Sequence, residues 1–209
     1  MHKIKPFRQY DEKDVINLFA LKHSDLALSA LKPGVTTTNN GVNWSGTVLK
    51  VDTTNANFFD QDPGGLSQGT THGANSYLGA IGSDDQGNAS KWGSFYPEAP
   101  MKLVAADAND ANPLGIALKP TLAFDENDEK LLYYNRKKDE LQCVLPGETV
   151  PVATRGLFVF EGPNVAAGAK LGATANGGIG TYASGAEVGR VLAVGTKNSV
   201  KTSLVLINI

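Results

Sequence analysis

The chain has 209 residues, a formal net charge of −2 and 19% charged residues, fewer than the roughly 25% of an average soluble protein. Its 23 glycines and 10 prolines argue against a helical bundle or coiled coil, and its 41% hydrophobic content argues against wholesale disorder. The balanced charge lacks the basic excess that phosphate-backbone binding needs, so we expect no nucleic-acid partner.

The sequence contains no apolar run near the roughly 18 residues of a transmembrane helix, and its start leads into polar sequence. We therefore expect no membrane association and no export by the usual route. The single cysteine, Cys143, cannot form an internal disulfide. Its apolar setting between Leu141 and Leu145 predicts a buried structural thiol.

Residues 1–32 are predicted to form an N-terminal arm or strand. Cations and aromatic rings alternate at its start, a composition that suits docking onto an acidic, partly apolar protein surface. The alternative is a solvated terminus whose rings fold back onto their own core. The candidate contact residues are Lys3, Lys5, Phe7, Arg8 and Tyr10.

Residues 11–31 fit both a helix and a strand. Asp11 or Asp14 could cap a helix, whereas Val15-Ile16 and Leu18-Phe19 suit a strand equally well. We favour the extended reading and leave the helix open.

Residues 33–100 are rich in Gly, Asn, Thr and Ser, with short apolar islands at 47–51 and 77–81. Such islands bounded by turn formers predict strands joined by long loops, a loop-rich β elaboration of the core. Trp44 and Trp92 are the candidate contact residues here, for a partner or a glycan. The alternative places these rings as core beneath the loops.

Residues 101–209 are predicted to form the β-barrel core, in one compact unit with residues 33–100. The acidic start and basic later turn of residues 128–141 predict a short helix. A strand is predicted over 149–160 with an interruption at Gly156, and short strands with glycine turns follow it. The terminal strand, residues 202–209, is apolar on both faces, which predicts a position inside a sheet or under a neighbouring subunit.

These elements predict a mainly β fold: a small β-barrel or sandwich with long Gly/Asn-rich loops, an extended N-terminal arm and one or two short helices. The sequence lacks the HExxH, Cys-x-x-Cys, G-x-S-x-G and Walker A patterns. The acidic run at 125–129 resembles a calcium loop, but Lys130 and Arg136 stand where an EF-hand needs glycine and glutamate. We therefore predict a non-enzymatic protein without a cofactor or metal.

Three C-terminal motifs carry a family resemblance. They are Val-Pro-Val-Ala-Thr-Arg-Gly-Leu-Phe-Val-Phe at 150–160, Ala-Ala-Gly-Ala-Lys-Leu at 166–171 and Gly-Ala-Glu-Val-Gly-Arg-Val-Leu at 185–192, followed by a hydrophobic terminal strand. In this pattern the chain resembles the small β-barrel, or β-tulip, of tailed-phage capsid decoration (cement) proteins. The segment 14–21 is also similar to the start of phage virion structural proteins.

The resemblance implies a virion structural protein made in the host cytoplasm and located on the capsid exterior. Its expected partners are the major capsid protein and further copies of itself, as a homotrimer, and its expected role is to clamp neighbouring capsomers. The alternatives are a phage head-fibre, neck or tail component and, in a different class, a carbohydrate-binding module that uses the tryptophans.

Overall fold

The structure is a computed structural model of the chain, and it describes residues 4–21, 44–52, 67–68, 71–72, 102–145, 148–162, 165–197 and 199–209. The described residues form thirteen strands, numbered in chain order. They are β1 (Ile4–Gln9), β2 (Val15–Ile16), β3 (Val48–Asp52), β4 (Ser67–Gln68), β5 (Thr71–His72), β6 (Lys102–Ala105), β7 (Gly115–Ala117), β8 (Val152–Ala153), β9 (Arg155–Glu161), β10 (Lys170–Thr174), β11 (Gly178–Thr181), β12 (Glu187–Lys197) and β13 (Val200–Asn208).

Two antiparallel sheets contain most of these strands. One has six strands in the order β1-β9-β13-β12-β10-β11, the other has five in the order β2-β8-β7-β3-β6, and β4 pairs with β5 alone. The curled sheets form a half-barrel, which confirms the predicted mainly β class. Strands from all three predicted stretches of the chain pair with one another in these two sheets.

The space between the two sheets holds the main hydrophobic core. The six-stranded sheet contributes Phe158, Phe160, Val205 and Ile207, and the five-stranded sheet contributes residues such as Ile116. The predicted terminal strand is β13, which lies inside its sheet between β9 and β12. Val205 and Ile207 are fully buried, whereas Leu204 and Leu206, which alternate with them, are half-buried.

The five-stranded sheet is buried on both faces. Neighbouring residues along one strand enter different cores: Val48 and Ile116 face the six-stranded sheet, whereas Leu49 and Ala117 pack with Leu103 in a second cluster. This explains why these strands are continuous apolar runs rather than alternating ones.

The predicted arm is integrated into the fold where the structure describes it. β1 pairs with β9 as an edge strand, with Ile4 opposite Phe160 and Arg8 opposite Phe158. Beyond it, residues 11–21 contain a 3-10 helix (Glu12–Asp14) and then extended backbone including β2, so the favoured extended reading holds over this stretch. Residues 22–31 lie outside the described residues.

The interruption predicted at Gly156 lies instead at Thr154, between β8 and β9. Here the chain passes from the five-stranded to the six-stranded sheet, and the backbone N–H and hydroxyl of Thr154 both donate to the carbonyl oxygen of Asp14. Gly156 lies within β9 at a φ of +149°, where a Cβ atom would come within 2.8 Å of the Gln9 carbonyl oxygen. Glycine at this position therefore permits close approach of the N-terminal strand.

The predicted helix over 128–141 is only partly correct. A 3-10 helix (Leu131–Tyr133) is followed by a single α-helix, α1 (Asn135–Glu140), while Lys130 forms a β-bridge with Phe124. Burial of Leu131 and the pairing of Lys130 hold the chain extended where the continuous helix was predicted to begin. A further 3-10 helix, Ala175–Gly177, joins β10 to β11.

An ion-pair network ties β3 to the loop that follows β6. The Lys50 ammonium group contacts the carboxylates of Asp107 and Asp110 at 2.5 and 2.9 Å. Burial alone would raise the pKa of Asp110, but hydrogen bonds from the Asn112 N–H, from Lys50 and from the Asp107 N–H outweigh it and lower the pKa. A lowered carboxyl pKa stabilises the fold above the unfolded-state pKa, and this contribution disappears as pH falls through the folded-state value.

We predict that Ile4→Ala lowers the free energy of unfolding by about 2–5 kcal/mol, because Ile4 is 2% exposed and belongs to the main core. Phe7→Ala, in the same strand, removes a ring that is 52% exposed and should change stability by at most about 0.5 kcal/mol. Denaturant titration monitored by circular dichroism measures both variants. Equal effects of the two substitutions would contradict the placement of β1.

We also predict that Asp110→Asn lowers the free energy of unfolding by about 1 kcal/mol at pH 7. The substitution removes a charged partner of Lys50, and the Asp110 side chain is only 9% exposed. The difference from the unsubstituted chain should shrink as the pH falls below about 4, where the unfolded-state carboxyl is protonated. The control is Asp107→Asn, whose carboxylate contacts the same lysine but is 80% exposed. A difference that stays constant down to pH 2 would refute this assignment.

Candidate functional site

The basic candidates in β1 are already engaged within the chain. Lys5 forms an ion pair with Glu161 on the neighbouring strand, and the Arg8 guanidinium donates to the Leu118 carbonyl oxygen at 3.4 Å. These contacts connect β1 to its own sheet and to the end of β7. Lys3 lies outside the described residues.

The two rings of this segment remain accessible. Phe7 is exposed on β1, and Tyr10 is exposed while its ring stacks on buried Phe158 with a centroid distance of 5.9 Å. Among the aromatic candidates further along the chain, Trp44 is half-buried beside the start of β3 and Trp92 lies outside the described residues. The structure thus brings Phe7 and Tyr10 to one sheet edge and leaves Trp44 apart from it.

Residues 120–145, between β7 and β8, form a small compact segment that we name the knob. It has its own core of Leu122, Leu131 and Cys143, and a parallel bridge between Thr121 and Val144 closes its base. The knob is therefore a folded unit with its own buried side chains and bridged ends.

The acidic run considered as a calcium loop is a turn inside the knob. Asp125 is buried, and its Oδ1 accepts the N–H groups of Asn127 and Glu129, both at 2.8 Å. The ammonium group of Lys137 in α1 donates a hydrogen bond to Glu126 and lowers the pKa of that carboxyl. These side chains thus fix the turn against the helix.

The outer surface of the knob presents three large side chains in succession. Leu132, Tyr133 and Tyr134 are 61%, 72% and 49% exposed, and Arg136 follows them on α1. Neither Lys130 nor Arg136 has an ion-pair partner in the described part of the chain, so free cations flank the apolar side chains. Tyr and Arg are the residues most enriched at energetically important positions of protein interfaces.

Sequence reasoning missed this surface. A helix over 128–141 would place Leu131 and Leu132 as a central apolar pair, whereas the structure buries Leu131 and exposes Leu132. The sequence feature that indicates such a surface is the run of four large side chains at 131–134. One buried helix face cannot cover four consecutive side chains, so some of them must be exposed.

A groove of about 530 Å³ lies at the end of the six-stranded sheet where β9 begins and β13 ends. Leu157 and Leu206, paired across β9 and β13, contribute apolar surface. The loop after β1 contributes three carboxylates, and Arg155 contributes one cation. The acidic lining residues are Asp11, Glu12 and Asp14.

The described residues contain no group of three or more His, Cys, Asp or Glu side chains arranged to hold a metal ion. No helix in the described part of the chain is long and apolar enough to cross a membrane. Comparison with protein-family models, with curated protein sequences and with solved structures finds no match for this chain.

We predict that Cys143 in the folded protein reacts with a water-soluble disulfide reagent at pH 8 on the order of a hundredfold more slowly than in denaturant. Burial raises the pKa of this thiol, and its Sγ lies 3.7 Å from the Lys138 carbonyl oxygen. Absorbance of the released thiolate reports both rates, and a small free thiol supplies the reference. Native reaction at the reference rate would show that the knob core is open.

Proposed function

We propose that this chain is a non-catalytic structural protein of a tailed-phage virion, and that it binds the capsid exterior and stabilises it by clamping neighbouring capsomers. The observation that carries the proposal is the exposed Leu132-Tyr133-Tyr134 surface of the knob. The half-barrel also suits the small barrel that the resemblance to decoration proteins implies.

The chemistry of the knob suits a protein partner. Exposed apolar side chains gain free energy when a complementary surface removes them from water, and tyrosine adds a hydroxyl that can hydrogen-bond at an interface rim. Arg136 and Lys130 beside them favour a partner surface that carries carboxylates.

The support beneath this surface favours a preformed binding site. Leu131 anchors the 3-10 helix in the knob core, and Lys137 joins α1 to the Asp125 turn through Glu126. Side chains carried on an ordered element lose less conformational entropy on binding than side chains on a mobile loop.

Repetition makes a small contact sufficient for this role. A capsid presents many identical sites, and a protein that contacts two neighbouring capsomers adds the second contact as an intramolecular step. Three exposed side chains in one knob are too few for a large permanent interface, but they suit one contact of a multivalent clamp.

The test measures binding of the purified chain to expanded capsids that lack their decoration protein, by co-sedimentation and by capsid thermal stability. Replacing Leu132, Tyr133 and Tyr134 together with Ser should weaken binding at least about tenfold, because the apolar contact area is lost. The matched control is Leu18→Ser, which changes an equally exposed apolar residue outside the knob and should bind normally.

Two results would oppose the proposal. One is an unsubstituted chain that neither binds capsids nor raises their melting temperature. The other is a knob variant that binds as well as the unsubstituted chain. Electron microscopy of labelled protein on native particles separates a capsid-surface position from a head-fibre, neck or tail position.

A further inference from the structure

The groove at the end of the six-stranded sheet has an apolar floor. Leu157 on β9 lies opposite Leu206 on β13, and both half-buried side chains line the groove. Phe158, the residue after Leu157, is fully buried in the main core, so the two leucines project from the opposite face of the sheet. Val159 and Leu204 form the next pair on that face and are also half-buried. The apolar floor therefore continues about 7 Å beyond the leucine pair, the length of two residues of β-strand.

One wall of the groove carries negative charge that the described part of the chain does not neutralise. The wall contains Asp11, Glu12 and Asp14, from the segment after β1. Glu12 and Asp14 have no ion-pair partner among the described residues. Asp11 contacts only Lys13, at 3.2 Å and with both side chains exposed, so this pair contributes little. Asp14 is half-buried, and a carboxylate that is partly removed from water interacts more strongly with a cation than one in bulk solvent.

An arginine side chain of another protein combines the properties that this groove requires. Its planar guanidinium presents several N–H donors and can contact two carboxylates at once, whereas a lysine ammonium is a single point charge. The aliphatic stem of arginine packs on apolar surface while its charged end reaches a polar rim. The exposed ring of Tyr10, which also lines the groove, offers a surface on which a guanidinium can stack. The carboxylates are not arranged as a metal site, since the described residues contain no such group.

The length of the floor indicates a second residue of the ligand. In an extended peptide, residues two positions apart point to the same side and lie about 7 Å apart, which is also the spacing between Leu157 and Val159. An arginine stem over Leu157 therefore places the side chain two residues away over Val159, where an apolar group fits. Arg155 is the one cation of the lining and disfavours a second cation in the same segment. The groove thus suits one arginine combined with one apolar residue.

We propose that this groove binds an extended segment of another protein in which one arginine and one apolar residue are separated by a single residue. The guanidinium contacts the carboxylates of Glu12 and Asp14, and the arginine stem covers Leu157 and Leu206. The apolar side chain of the ligand covers the next pair along the floor. None of the lining residues belongs to the knob, so this site is independent of the proposed capsid contact.

The experiment measures binding of a short peptide to the full chain by fluorescence anisotropy. The peptide has five residues and blocked ends, with arginine second, leucine fourth, glycine elsewhere and a neutral fluorophore. We expect saturable binding at low salt with a Kd of about 1 mM or below, because the contact is small, and weaker binding at high salt. Citrulline has the shape of arginine without its charge and should weaken binding at least about tenfold. Serine in place of the leucine should weaken it at least about threefold.

Variants of the chain test the carboxylates directly. E12Q/D14N removes both charges with little change in side-chain size and should weaken binding of the arginine peptide at least about tenfold. The matched control, D139N/E140Q, removes the same charge from exposed positions of α1 and should leave the affinity unchanged. The reversed variant E12K/D14K should bind the peptide that has glutamate in place of arginine, which the unsubstituted chain should not bind. Circular dichroism verifies that each variant is folded.

Four results would overturn the proposal. The first is no binding of the arginine peptide at low salt. The second is equal affinity for the arginine and citrulline peptides, which would make the groove a general apolar surface. The third is equal loss of affinity in the groove variant and the control variant, which would assign the attraction to overall charge. The fourth is self-association that E12Q/D14N abolishes in sedimentation velocity, which would assign the groove to a second copy. No measurement uses capsids, so failure here and failure of capsid binding are distinguishable.

Discussion

Burial of the apolar faces between the two sheets is the interaction on which the rest of the structure depends. Phe158 is its centre: it is fully buried on β9, stacks beneath Tyr10 and contacts Phe160 edge-on. The chain that carries it has just left the five-stranded sheet at Thr154, so a single segment belongs to both layers. Thr154 donates to the Asp14 carbonyl oxygen, and the Thr154 carbonyl oxygen accepts the N–H of Ile209, so the segment after β1 and the end of β13 both contact the chain at this crossing.

Local patterns predicted the features that depend on local chemistry. The two apolar faces of β13 indicated a position inside a sheet, and the apolar surroundings of Cys143 indicated a buried thiol, because each depends on side chains within a few residues. The pairing of β1 with β9 could not be predicted in this way. Ile4 and Phe160 are distant in sequence, and the composition of an edge strand does not determine which strand pairs with it. The same limit explains why the sequence could not show that the candidate contact residues Lys5 and Arg8 each contact a residue distant in the chain.

The exposed apolar side chains lie outside the main core, so their replacement should change the free energy of unfolding little. The knob has its own core, and neither Tyr133 nor Val194 belongs to the main core. Stability and surface chemistry are therefore carried by different residues. For the proposed capsid-binding role, this separation would let the contact surface change without affecting the half-barrel. It also gives the low charged fraction of the chain a physical meaning, since contact surfaces carry fewer charges at their centres.

The two edge strands of the six-stranded sheet, β1 and β11, differ in what limits the pairing of a further strand with them. At β1, proline at position 6 supplies no N–H, and the register shifts between Ile4 and Arg8, so a regular added strand is disfavoured there. At the other end, β11 has four residues, two of them glycine, and offers little length for pairing. Among the described residues, the edge of β12 is unpaired from Leu192 onward, beyond the loop contacts that Val191 makes with Gly168 and Ala169. Further strand pairing to this sheet is therefore least hindered along this part of β12, which limits open-ended addition at the edge strands.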